Sequence, residues 1–208
     1  MMRTLMLACL VVGALPAAHA VMPAWSFRVL LDGREIGQHR SILLGMAAQR
    51  EVRSTAQFDV KVLLVPLSRY RHEAVEQWVG NCLQSLTSRT ETNGEREEVR
   101  AAARGDGLVV EAAGAGCEHA GCVMSFAYWD PQILAARHLL NSQTGELVPV
   151  NVTSHGDEML AVLGQPESAR HYRISGSRLQ IDLWYAGNQW VALESIAQGG
   201  RRLRYERM

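Results

Sequence analysis

From Gln49 to Leu64 the chain alternates without a break. Val52, Ser54, Ala56, Phe58, Val60 and Val62 fall on one side, and Arg53, Thr55, Gln57, Asp59 and Lys61 on the other. Successive side chains of an extended backbone point to opposite faces. A period of two sustained this long therefore specifies a long antiparallel strand with one dry and one wet face.

The rest of the chain repeats the pattern in shorter pieces. Trp25 to Leu31 reads as a strand ending at Asp32-Gly33, a hairpin signal, and Glu35 to Gln38 as its return, with Gly37 marking a bulge. Pro66 to Arg69 reads as a turn, and Tyr70 to Trp78 alternates again, placing Tyr70, His72, Ala74, Glu76 and Trp78 on one face. Cys82 to Thr90 and Glu95 to Arg104 flank Asn93-Gly94, a second hairpin signal. Leu108 to Ala112 follows, then a loop of small residues from Ala113 to Gly121. Beyond residue 150 the extended segments are Asn151 to Thr153, Met159 to Leu163, His171 to Ile174, Leu179 to Tyr185, Trp190 to Ile196 and Arg202 to Glu206. Turns at this spacing predict an all-β, mainly antiparallel sheet, curled into a barrel or open half-barrel.

Cys122 to Val150 is the one interruption. Asp130 suits a helix N-cap and Pro131 the first helical position, so a short helix is expected over residues 131–140, plugging or lidding the sheet. Its apolar stripe is too narrow for a helix standing alone.

The first residues are not part of the fold. Arg3, the apolar run Leu5 to Leu15 and Ala18-His19-Ala20 make an export signal over residues 1–20, leaving a single domain over residues 21–208 in the periplasm or outside the cell. No later apolar run is long enough to span a bilayer. Basic and acidic residues balance at 21 each, and every basic residue but Lys61 is Arg. Without a basic patch beyond Arg201, Arg202 and Arg204, a nucleic-acid partner is not expected. Export permits disulfides. Cys82, Cys117 and Cys122 allow three connectivities, each leaving one thiol free. Loop entropy favours Cys82–Cys122, at roughly 4 kcal/mol against roughly 2 for Cys117–Cys122, although strain could reverse the order. Cys82, Cys117, His119 and Cys122 could instead hold zinc; a disulfide with a spare thiol is the simpler reading, and no metal or cofactor is expected.

The familiar catalytic motifs are absent. There is no G-x-S-x-G elbow, H-E-x-x-H pair or phosphate-binding loop. His72 and Glu76 share a strand face and could work as acid and base, or serve only to satisfy each other. Asp182 and Glu194 come together if their strands pair in simple register, as an acid–base couple or as carboxylates held by Arg202 and Arg204. Tyr70, Trp78, Tyr128 and Trp184, with other aromatics, could line a ligand cavity.

One further pattern spans nearly the whole chain after the export signal. It comprises Tyr70-x-His72, Glu76-x-Trp78, Cys82-Leu83, Thr92-Asn93-Gly94, Phe126-Ala127-Tyr128-Trp129 and Leu139-Leu140-Asn141-x-Gln143-Thr144-Gly145-Glu146. It continues with Ile181-Asp182-Leu183-Trp184-Tyr185, Leu193-Glu194-Ser195 and Gly199-Gly200-Arg201-x-Leu203-x-Tyr205. It resembles the DUF6134 family of exported bacterial proteins, and the resemblance puts Cys82 and Cys122, not Cys117, at the family's cysteines. A more distant likeness, to the DUF3108 group and to open β-barrels that carry lipids in the periplasm, is architectural only. The family implies no activity. The expectation is a carrier or binder of a small apolar or amphipathic, lipid-like ligand, with Tyr70, His72, Glu76, Trp78, Tyr128, Asp182, Trp184 and Glu194 as candidate contacts. An acid–base enzyme and a structural or assembly factor of the envelope are the alternatives. Oligomeric state is not legible.

Overall fold

The computed structural model describes residues 24–46, 48–62 and 65–208. The expected export signal lies outside them. Strands β1 (Ala24–Leu31), β2 (Arg34–Met46), β3 (Gln49–Val62), β4 (Val65–Val79), β5 (Cys82–Thr92), β6 (Glu95–Arg104), β7 (Gly107–Ala112) and β8 (Ala115–His119) follow one another as an antiparallel meander. A crossing segment over residues 120–150 carries a 3-10 turn (Pro131–Ala135) and a small hairpin of β9 (His138–Leu140) and β10 (Leu147–Pro149). A second meander follows: β11 (Asn151–Val162), β12 (Gln165–Ser175), β13 (Gln180–Ala186), β14 (Gln189–Ala197) and β15 (Arg201–Arg207). β15 pairs with β1, which joins the two meanders into one thirteen-stranded sheet ordered β11-β12-β13-β14-β15-β1-β2-β3-β4-β5-β6-β7-β8.

The strand at 49–62 alternates as its sequence requires, with Val52 and Ala56 buried and Arg53, Thr55 and Gln57 exposed. Most other strands are longer than the turn signals suggested. Ala115–His119 is a strand, not a loop, and Pro66 to Arg69 lies within β4 rather than in a turn. Gly156 sits at a bulge within β11, because the β11–β12 register slips between Ser154 and Gly156. Beside Gly37 the β1–β2 register also shifts. A Cβ on Gly37 would stand 1.8 Å from the carbonyl oxygen of Gln57, so close backbone approach demands glycine there.

Two expectations are corrected. The sheet does not close into a barrel: β8 and β11 form its two edges and do not pair. The chain leaves edge β8 and returns to edge β11 across one face of the sheet, so no hairpin joins them. Nor are residues 131–140 one helix. Asp130 does cap the turn, accepting from the backbone N–H of Gln132 at 3.0 Å, and Pro131 opens it. At Ala136 the backbone becomes extended (φ −72°, ψ 145°), and His138–Leu140 pairs with Leu147–Pro149.

The face that the crossing segment covers is the inner face, and the main core lies between the two. Val123, Ala127, Trp129, Ile133, Leu139 and Leu140 are buried against Trp25, Val52, Trp78, Leu86 and Leu108 of one meander and Ile174 and Leu183 of the other. Each large apolar side chain removed from water contributes roughly 1.5–3 kcal/mol. Polar pins fix the register of the crossing. Cys122 is disulfide-bonded to Cys82 on β5, and the Leu83 N–H donates to the Val123 carbonyl at 2.9 Å. Asp130 pairs with Arg50 at 3.0 Å, and the Tyr185 hydroxyl donates to the Tyr128 carbonyl at 2.7 Å. Cys117 is free and exposed on β8.

Candidate functional site

Antiparallel register lays the inner side chains of β2 to β5 in rows. One row is His39, Ala56, His72 and Thr90; the next is Ser41, Ser54, Ala74 and Ser88. Among the small residues of these rows, Ser41, Ser54, Ala56 and Ala74 line a space where a packed core would carry valine or leucine. The space they leave is a cavity of about 300 Å³. Phe126, Tyr128, Ser142 and Gln143 of the crossing segment wall its other side. Ile181 of β13 and His72 of β4 both line it. These strands are six places apart in the sheet. At about 4.8 Å per strand a flat sheet would separate them by roughly 29 Å, so the sheet curls around the cavity.

Aromatic rings form a continuous wall. Tyr70 stacks on Phe58 at 5.1 Å, Phe58 meets Tyr205 at 6.3 Å, Tyr205 meets Trp190 at 6.2 Å, and Trp190 meets Tyr128 at 5.4 Å. Two histidines and one carboxyl, His39, His72 and Glu76, stand in the same cavity. His72 Nδ1 hydrogen-bonds the Thr90 hydroxyl at 3.0 Å, and its Nε2 meets the Ser142 hydroxyl at 3.4 Å. Burial holds its pKa down at about 4. Burial, with His72 nearby, lowers His39 to about 4 as well, and His39 Nδ1 is buried without a hydrogen-bond partner. Burial raises Glu76 to about 6, opposed by hydrogen bonds from Ser125 and from Trp78, whose Nε1–H donates at 3.3 Å. Burial also raises the phenols of Tyr70, Tyr128 and Tyr205. His72 and Glu76 thus share the cavity while each is hydrogen-bonded to other partners.

Of the residues singled out in the sequence, Tyr70, His72, Glu76 and Tyr128 line this cavity. Trp78 does not; it lies beside Glu76 and packs edge-on against Trp129 at 5.6 Å. Asp182, Trp184 and Glu194 occupy the opposite, outer face. Asp182 and Glu194 are register partners, as simple pairing required. Arg173 holds Asp182 at 2.8 Å, and Arg204 and Arg202 hold Glu194 at 2.9 and 3.3 Å. His171 bridges Asp182 (2.7 Å) and Glu158 (2.9 Å) and stacks on Trp184. The outer cluster is a saturated ion-pair ladder. Cys117 and His119 stand on an edge strand while Cys82 and Cys122 are consumed by the disulfide, and no group of potential metal ligands occurs among the described residues.

His39, Ser41, Ser54 and Tyr205 were missed. The sequence pattern ends the second strand at Gln38, short of His39 and Ser41, whereas β2 runs to Met46 and its alternation carries His39, Ser41 and Leu43 to one face. Tyr205 was on a correctly read strand, but which strand lies beside it depends on the β1–β15 pairing.

Fold and site together define an open, curled antiparallel sheet whose own internal segment encloses a small aromatic cavity. The family model for a domain of unknown function, DUF6134, matches residues 27–208, and the chain belongs to that family. No curated protein matches the chain.

Proposed function

We propose that this is an exported protein that binds or carries a small apolar or amphipathic ligand between the inner face of a half-barrel and its crossing segment. The observation that supports this most is the cavity itself, with aromatic walls and a few convergent polar groups, a composition typical of ligand sites. At about 300 Å³ it stands at the lower end of such sites, suited to a single chain or a small ring system rather than a whole two-chain lipid. The signal-like residues 1–20 and a disulfide both suit the periplasm or the cell exterior. Native mass spectrometry and solvent extraction of protein purified from its own periplasm test the reading. The expected result is a co-purifying molecule that is lost, with folding intact, in Ala56→Leu and Ala74→Leu, which refill the space. An empty protein, together with full complementation by those variants, rejects it.

A second reading, an acid–base enzyme, is favoured by one observation: the Glu76 carboxyl, at about 6, shares the cavity with two neutral histidines. It predicts turnover that disappears in both Glu76→Gln and His72→Gln.

A further inference from the structure

The cavity's charge pattern narrows the class of ligand, an inference that rests on the binding reading above. No described lining residue is Arg or Lys. Arg50 stacks on the Trp129 ring at 4.8 Å, but it is paired with Asp130 and does not line the cavity. The one acid among the described lining residues, Glu76, is 7% exposed, and its partners Trp78 and Ser125 are neutral. A carboxylate taken out of water without a counter-charge is costly. Farther along the same cavity wall are Tyr70, Tyr128, Trp190 and Tyr205, and electron-rich aromatic rings attract cations. An anionic ligand would find a carboxylate and aromatic rings, with no Arg or Lys among the described lining residues to hold it. A neutral ligand would leave Glu76 uncompensated.

We propose that the cavity is built for a monocation with an apolar body, an amine or quaternary ammonium whose charge pairs with Glu76 while its hydrocarbon packs against the aromatic wall. The ligand then supplies the counter-charge that the protein withholds. Glu76 is a binding residue under this assignment, and the Trp78 and Ser125 hydrogen bonds orient its carboxyl.

Three probes of equal chain length separate charge from hydrophobicity: octylammonium, 1-octanol and octanoate, titrated calorimetrically against the purified, oxidised protein at pH 7.5. The expected order is octylammonium at least tenfold tighter than octanol, with octanoate weakest. Glu76→Gln should erase the preference for the amine and leave octanol within about threefold of its wild-type affinity. Octanol or octanoate binding as tightly as the amine overturns the cation assignment while leaving a ligand cavity in place, provided Ala74→Leu blocks that binding. No binding by any probe also overturns the assignment, and an empty native extract as well removes the binding reading beneath it. If Glu76→Gln does not fold, the wild-type order alone decides.

Discussion

At the scale of single residues, the cavity works against the stability of the fold around it. Glu76 has a pKa near 6 when folded against an ordinary 4.5. Its contribution is therefore fully present below pH 4.5 and is lost as pH rises through 6, amounting to about 2 kcal/mol. Glu76→Gln should thus raise stability by about 2 kcal/mol at pH 8, and the gap from wild type should close by pH 4.5. A gap independent of pH, measured by denaturant titration across that range, would contradict the burial argument. His39 and His72 act in the opposite sense. Their folded values near 4 lie below the ordinary 6.5, so the stability they contribute is present above 6.5 and lost as pH falls through 4. Two histidines outweigh one carboxyl over that window. The wild-type thermal midpoint should fall between pH 6.5 and 4, and the fall should shrink markedly in the His39→Gln/His72→Gln double variant. An unchanged fall would assign it to other groups.

At the scale of elements, the crossing segment is the piece on which the cavity depends. Leu140 is fully buried, and its backbone donates to the Met124 carbonyl at 2.8 Å and accepts from Phe126. Leu140→Asp should destabilise by at least about 3 kcal/mol, since an unpaired charge would be placed in the core. A thermal midpoint left in place by that substitution would mean that the segment lifts away as a lid. The sequence made the strands legible because one dry face enforces period two, as in Val52, Ser54 and Ala56. It made the Asp130 cap legible for the same local reason. It misled over residues 136–140, because Ile133, Leu134 and Leu140 together imitate the apolar face of about two turns of helix. The polar turn from Asn141 to Glu146 is legible in the sequence; what local pattern does not reveal is that it joins two paired strands, His138–Leu140 and Leu147–Pro149. Gly145 takes a positive φ of 75°, and a Cβ there would stand 2.7 Å from that of Ala112, so the tight turn of a hairpin fits where a helix does not. The inner role of Tyr70 and His72 could be read from their own strand. Their neighbours His39 and Tyr205 could not be assigned to the same wall, because strand order depends on long-range pairing that local pattern does not encode.

For the whole molecule, the joint between β1 and β15 lies in the interior of the sheet order, with four strands beyond β15 and seven beyond β1. Elsewhere in the sheet each strand pairs with its successor in the chain. At this joint alone, Arg28 and Glu206 bond at 2.7 Å across a separation of 178 residues. The two meanders can form from local contacts, but the joint must first close a very long loop, and contacts of such separation are slow to form. In pulse-labelled hydrogen exchange during refolding, amides of the β3–β4 and β13–β14 hairpins should gain protection before those paired between β1 and β15. Simultaneous protection would indicate one concerted step. If the chain is exported as proposed above, this order bears on its passage across the membrane. A polypeptide threaded N-terminus first delivers β1 long before its partner β15, so one flank of β1 stays unpaired until the last strand arrives. Over that interval the chain would expose an unpaired strand edge, the kind of edge that templates pairing with other chains.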